Sequence, residues 1–142
     1  MKVFYLCRTG HHTSLIAAAL RLGRLPADPG SAGEIYNIPG FDDMDFKDVG
    51  KPYYVGTDSS NVEIYTIGVM RNHAMMARAA NDLIGLMGVK YGEWLVIDAS
   101  RSVSKWTIAG LIFKKLRLRT LARTFIYFGA RREYDRLAAI YH

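Results

Sequence analysis

The sequence predicts an α/β fold: a three-layer α/β/α sandwich around a mostly parallel, Rossmann-like sheet with one inserted β-hairpin. Three observations predict it. Runs rich in β-branched and aromatic residues alternate with runs of helical period. Some strand-like runs are short, apolar and uninterrupted, as strands buried on both faces are. Two consecutive β-rich runs are separated by no more than a short polar turn. Such alternation stacks helices on a sheet. The 142 residues are one domain's worth, residues 1–142, and half of them are hydrophobic, enough for a core without metals or staples.

The first strand is Lys2 to Cys7, and a helix rich in Ala and Leu runs from Ser14 to Leu22, stopped by Gly23 and Pro26. Residues 26 to 52 hold all four prolines of the chain and read as a flexible Pro/Gly-rich connection, with a short strand at Ile35 to Ile38. Connections of that length are usually functional or mobile, and this one is a candidate lid. "YYVGTD" and "VEIYTIGV", joined by "SSN", read as the hairpin. A helix is expected over 72 to 87 with Asn72 as its N-cap. Then come a buried parallel strand in "EWLVIDAS", a helix capped by Ser102 or Ser104 and running to about Leu118, a buried strand in "TFIYFGA", and a final helix in "RREYDRLAAIY".

The apolar runs, such as residues 107 to 113, fall far short of the roughly 20 residues that span a bilayer, and the first residues show no export signal. A membrane is therefore not expected as a partner. Cys7 is the only cysteine, so no internal disulfide can form, and a lone thiol suits a reducing compartment; cytoplasm is expected. Residues 1–71 carry seven Lys+Arg against eight Asp+Glu, a balance of −1; residues 72–142 carry twelve against five, a balance of +7. The basic half makes an acidic protein or RNA a candidate partner. The run "KKLRLRTLAR", however, reads first as a solvated face that suits a helix C-terminus, and Trp106, Phe125, Tyr127 and Phe128 read as core.

The loop "CRTGHHTS", Cys7 to Ser14, follows the first strand, where open α/β sheets bind ligands. Gly10 permits a positive φ, and Thr13 and Ser14 can cap the helix while its first N–H groups point into the loop. Free N–H groups backed by a helix dipole make an anion site, so a phosphorylated small molecule or nucleotide is the expected guest. Arg8, Thr9, Gly10, His11, Thr13 and Ser14 are its candidate binding residues. A helix N-terminus beside Arg8 would also lower the pKa of Cys7, the candidate nucleophile. His12, nearer the helix, is the candidate general acid. "WLVIDAS" ends in Asp98, which either joins this chemistry or caps the following turn. Adjacent His11 and His12 do not face the same way, so no metal site is expected.

Two resemblances follow from these segments. From "VFYLCRTGHHTSLIAAALRLGRLP" through "IPGFD", "YYVGTD" and "WLVIDAS" to "FIYFGARREY", the chain resembles domain-of-unknown-function family 3189, short proteins of Gram-positive spore-forming bacteria. That resemblance implies boundaries and fold, and no reaction. The loop, read as C-x-x-G-x-x-T-S-L, is similar to the phosphate loop of cysteine-phosphorylated IIB components of sugar phosphotransferase systems and, less closely, of low-molecular-weight protein tyrosine phosphatases. By that similarity Cys7 attacks phosphorus while the loop N–H groups hold the oxygens; Thr13 stands where the phosphatases have their clamping Arg. The strand ending in Asp98 also resembles the Mg²⁺-supporting strand of P-loop nucleotide hydrolases, although G-x-x-x-x-G-K-[ST] is absent and His12 stands roughly where its Lys would be. No cofactor follows from these residues, and a nucleotide would bring Mg²⁺ with it. The alternative to an enzyme of phosphoryl transfer or phosphoester hydrolysis is a noncatalytic module, a degenerate nucleotide sensor or a basic docking protein.

Overall fold

The computed structural model describes residues 1–25, 32–43, 46–90 and 92–141. Residues 26–31, 44 and 45 of the expected connection lie outside them. Within the described residues the order is β1 (Lys2–Cys7), α1 (Thr13–Arg21), α2 (Ala32–Tyr36), β2 (Pro52–Thr57), β3 (Glu63–Gly68), α3 (His73–Leu86), β4 (Trp94–Asp98), α4 (Lys105–Lys115) and α5 (Arg119–Tyr141). Two 3-10 turns lie at Phe46–Asp48 and Ala99–Ser102.

The sheet is open and mixed, in the order β2-β3-β1-β4. Central β1 runs parallel to both neighbours, with Leu6 opposite Ile67 of β3 and Asp98 of β4. The expected hairpin is present: β2 pairs antiparallel with β3, with a register shift between Tyr54 and Gly56. Its turn is held by Asp58, whose Oδ1 accepts the N–H groups of Ser60 and Val62. The expected buried strand β4 is instead an edge strand, and Trp94 and Leu95 are exposed.

Side chains of β1 alternate between two clusters, as a period of two requires. Val3 and Tyr5 pack with Leu15 and Ile16 of α1 and Ile126 and Ala130 of α5. Phe4 and Leu6 face the other way, toward Ala77 of α3. That second face also carries an aromatic ladder with one ring per strand. Trp94 stacks on Phe4 and Phe4 on Tyr65, both at 4.9 Å, and Tyr65 meets Tyr54 at 5.4 Å. Cross-strand pairs of this kind stabilise a sheet by tenths of a kcal/mol to about 1 kcal/mol each. Phe4 and Tyr65 are committed to each other, which leaves Trp94 and Tyr54 at the ladder's ends.

Two expected strands are helices. "TFIYFGA" lies inside the long helix α5. Its β-prone residues obscure a helical period: Ala122, Ile126, Ala130, Tyr134 and Leu137 are all buried, at spacings of four, four, four and three. Burial of that stripe overrides the local β preference. The strand expected at Ile35 to Ile38 is likewise replaced by α2, which ends at Tyr36. Buried Ile35 and Ile38, three apart, need one helical turn and no sheet partner. The helices α4 and α5 approach closely where glycines leave room: a Cβ at Gly110 would stand 2.8 Å from the Ile126 nitrogen, and one at Gly129 would stand 2.5 Å from the Thr107 nitrogen.

Candidate functional site

β1 ends at Cys7 and α1 begins at Thr13, so residues 8–12 turn the chain at the carboxyl end of the central strand. α1 packs on the face of Val3 and Tyr5, whereas α3, which follows β3, packs on the face of Phe4 and Leu6. The ends of β1 and β3 therefore form a switch point, where the following chains part to opposite faces. Gly10 has φ +81°, and a Cβ there would stand 2.7 Å from the Gly68 nitrogen. A Cβ at Gly68 would stand 2.6 Å from the Thr9 carbonyl oxygen. The two loops thus touch backbone to backbone, which requires glycine on both sides.

Cys7 is buried, and its Sγ accepts the Gly10 N–H at 3.1 Å and lies 3.0 Å from Ser14 Oγ. Thr9 Oγ1 is 3.9 Å from the same sulfur and 2.7 Å from His12 Nδ1. On its other side, His12 Nε2 lies 2.9 Å from Asp42 Oδ1. Lys114 of α4 donates to that oxygen at 2.7 Å and to the Asp42 carbonyl at 2.8 Å. Burial alone would raise the pKa of Asp42, but the hydrogen bonds and charges of His12 and Lys114 hold it below the ordinary carboxylate range. An ionised Asp42 needs a donor at His12 Nε2, and the tautomer with its proton there leaves Nδ1 to accept from the Thr9 hydroxyl. The result is a continuous polar chain, Cys7–Thr9–His12–Asp42–Lys114, from a buried thiol to a half-exposed ammonium.

The neighbouring side chains point elsewhere. His11 turns to the Gly40 carbonyl at 2.9 Å and packs its ring against Tyr53, while its own carbonyl accepts the Asp42 N–H at 3.2 Å. Phe41 sets its ring edge-on against His12. Gly40 to Asp42 therefore covers the loop, and His12 is 3 % exposed. Thr13 and Ser14, expected as caps, are the first two residues of α1, and the capping position falls to His12 without a side-chain bond. Thr13 instead donates to Glu133 Oε2 at 2.6 Å. Glu133 Oε1 accepts the Ser104 N–H at 2.8 Å and the Thr107 hydroxyl at 2.5 Å. Burial raises the pKa of Glu133, and these three donors partly offset the rise. One carboxyl on α5 thereby ties the first turn of α1 to that of α4, where helix dipoles favour a negative charge.

Cys7, Thr9, Gly10, His12 and Ser14 come together, while Arg8 is exposed at the end of β1. Asp98 does not join them. It pairs with Leu6, and so lies on the α3 face of the sheet, opposite Cys7. Its Oδ1 accepts the Ser100 N–H at 3.0 Å and bonds the Ser100 hydroxyl, so it caps the turn that follows. It also lines a cleft of about 420 Å³ with Arg78, Asn81 and Arg101. The acid nearest the expected proton chemistry is Asp42, from the Pro/Gly-rich connection. His11 and His12 point apart, and no group of three His, Cys, Asp or Glu side chains among the described residues could hold a metal ion.

Sequence reasoning missed Asp42, Lys114 and Glu133. Only Glu133 left a usable signal: it is the sole acid between Asp98 and Asp135 and falls on the helical stripe of Ile126, Ala130 and Leu137. Reading residues 124–130 as a strand obscured that stripe. Ser104, one of the two expected caps of α4, does cap it, accepting the Trp106 N–H. Trp106 and Phe128, expected in the core, are exposed, while Phe125 and Tyr127 are half-buried. Between Asp98 and Glu133 nine Lys and Arg stand with no acid.

Fold and site together define an open-sheet α/β protein with a buried cysteine at the end of its central strand, beside the loop at the switch point of its sheet. The family described as "Protein of unknown function (DUF3189)" matches residues 2–141, and the chain belongs to it. No curated protein and no solved structure matches the chain. Among the described residues no helix is long and apolar enough to cross a membrane.

Proposed function

We propose that this chain is a cytoplasmic bacterial enzyme of three-layer, Rossmann-like architecture, which binds a phosphorylated small molecule or nucleotide at the β1–α1 loop and takes up its phosphoryl group on Cys7. One observation carries the reading: Cys7 Sγ sits at the start of α1, 3.1 Å from the Gly10 nitrogen and 3.0 Å from Ser14 Oγ, with Thr9, His12 and Asp42 linked behind it. The loop's similarity to cysteine-phosphorylated transfer proteins points the same way.

In this reading Gly40 to Asp42 lifts to admit the ligand. The Cys7 proton passes to the Thr9 hydroxyl, whose own proton moves to His12 Nδ1, and Asp42 stabilises the imidazolium through Nε2. The thiolate attacks phosphorus; the P–S bond forms as the P–O bond to the leaving group breaks, and the imidazolium proton returns through Thr9 to the departing oxygen. Water then cleaves the P–S bond, releasing inorganic phosphate and restoring the thiol. An acceptor hydroxyl in place of that water makes the reaction a transfer.

The test is to incubate the full chain with an activated aryl phosphate, quench in acid and measure the intact mass. Expected are the added mass of one phosphoryl group, located on Cys7, and its loss in Cys7→Ser. Undiminished release of the aryl alcohol by Cys7→Ser would overturn the reading. The covering of the loop by Gly40–Asp42 favours one second reading, a noncatalytic module. It predicts that phosphate or a nucleotide raises the melting temperature with no phosphocysteine formed.

A further inference from the structure

α3 rests on the sheet through one narrow stripe. Ala77 is buried, His73, Ala80 and Ile84 are half-buried, and most of the rest of the helix faces outward. The outward side is not polar. Met75, Ala79, Leu83 and Leu86 succeed one another at spacings of four, four and three, which is one continuous helical strip. All four are exposed, Leu86 to 86 %. Exposed apolar side chains scattered singly mean little, but a contiguous strip marks a contact surface.

The arrangement of the strip says which partner fits. Met75 and Leu86, Ala79 and Leu83, and the flanking Arg78 and Asp82 form three pairs, each centred on residues 80–81. A second copy of α3 laid antiparallel about a two-fold axis at that midpoint would meet Met75 with Leu86, Ala79 with Leu83 and Arg78 with Asp82. Self-complementarity of this kind is what a two-fold interface demands. The flank also satisfies it in charge, because antiparallel helices bring like flanks together. A second exposed apolar region, on α4 and α5, lacks this property: with nine cations and no acid between Asp98 and Glu133, a two-fold contact there sets cation against cation.

We infer that α3 is the interface of a two-fold dimer of this chain, formed by antiparallel α3 helices with Arg78 of each copy paired to Asp82 of the other. The inference is independent of the chemistry at Cys7, which lies on the opposite face of the sheet from α3. It is tested by sedimentation velocity of the full chain from nanomolar to high micromolar concentration, together with three variants.

The wild type should reach the mass of two chains at the upper end. Arg78→Asp and Asp82→Arg should each weaken self-association at least about tenfold, because each sets like charges across the axis. An equimolar mixture of the two should dimerise again, since one copy then carries two acids on this flank, the other carries two cations, and the two flanks face each other. Leu83→Glu should be monomeric with unchanged circular dichroism; if its fold is disturbed, the exposed charge pair decides alone. A wild type that is monomeric at every concentration overturns the inference, as does a dimer that survives both charge reversals. Failure of the mixture to re-form a dimer also overturns it.

Discussion

Replacing Glu133 by Ala removes the acceptor shared by three donors: the Ser104 N–H and the hydroxyls of Thr13 and Thr107. The hydroxyls can rotate toward other acceptors. The Ser104 N–H is fixed by the first turn of α4 and is left orphaned, at about 1–3 kcal/mol. The one methylene lost from a fully buried side chain adds roughly 0.8 kcal/mol, and relief from burying a charge subtracts part of the total. The net expectation is a loss of about 1–3.5 kcal/mol. Glu133→Gln keeps the shape and one acceptor oxygen, and Thr13 can turn to accept from the new amide, so its cost should stay below about 1.5 kcal/mol. Urea denaturation followed by far-UV circular dichroism measures both.

The two variants also separate charge from packing. The raised pKa of Glu133 means that the folded chain holds its proton to higher pH than the unfolded chain. Stability is therefore favoured below the unfolded value of about 4.3 and declines as pH rises from there through the folded pKa. Glu133→Gln should abolish that decline, so its stability relative to the wild type improves across the interval. A Glu133→Ala protein within about 0.5 kcal/mol of the wild type, or an unchanged pH slope in Glu133→Gln, would refute the hydrogen-bond assignment.

Asp42→Asn should cost about 1.5–3 kcal/mol at neutral pH, as it removes charge-assisted bonds to His12 and Lys114. Because the folded pKa of Asp42 is lowered, its contribution is present above the unfolded value and lost as pH falls through the folded one. Acid unfolding of Asp42→Asn should accordingly be flatter, and equal acid midpoints and slopes would count against the ion pair. Gly10→Ala places a Cβ 2.7 Å from the Gly68 nitrogen at φ +81°, and a loss of about 2 kcal/mol or more is expected from denaturant midpoints. Unchanged stability there would mean that the two loops stand further apart. Cutting the Lys114 side chain back by Lys114→Ala should move the melting temperature by no more than a few degrees, since that ammonium is half-exposed and its ion pair screened; the shift should shrink further in high salt.

Alternating strand and helical runs determined an α/β chain, the β2–β3 hairpin, a serine cap at 102 or 104 and the loop after β1, because each is a local pattern: period two, period 3.6, a polar turn or a capping residue next to its helix. Gly10 was legible for the same reason, as a residue free to take the positive φ it has. What tertiary contacts decided was everything that joins distant positions. The strand expected at 124–130 became part of α5, because the burial of Ile126 and Ala130 against β1 and α1 outweighs β propensity. For Asp98 the end of a strand leaves two roles open, the loop chemistry or a cap of the next turn, and the pairing of Leu6 with Asp98 decides for the cap by setting it on the opposite face. Asp42, 30 residues from His12, and Glu133, 120 residues from Thr13, reach the site by packing alone. No period relates residues at such separations, and the hydrogen bonds that join them exist once the core has brought their backbones together.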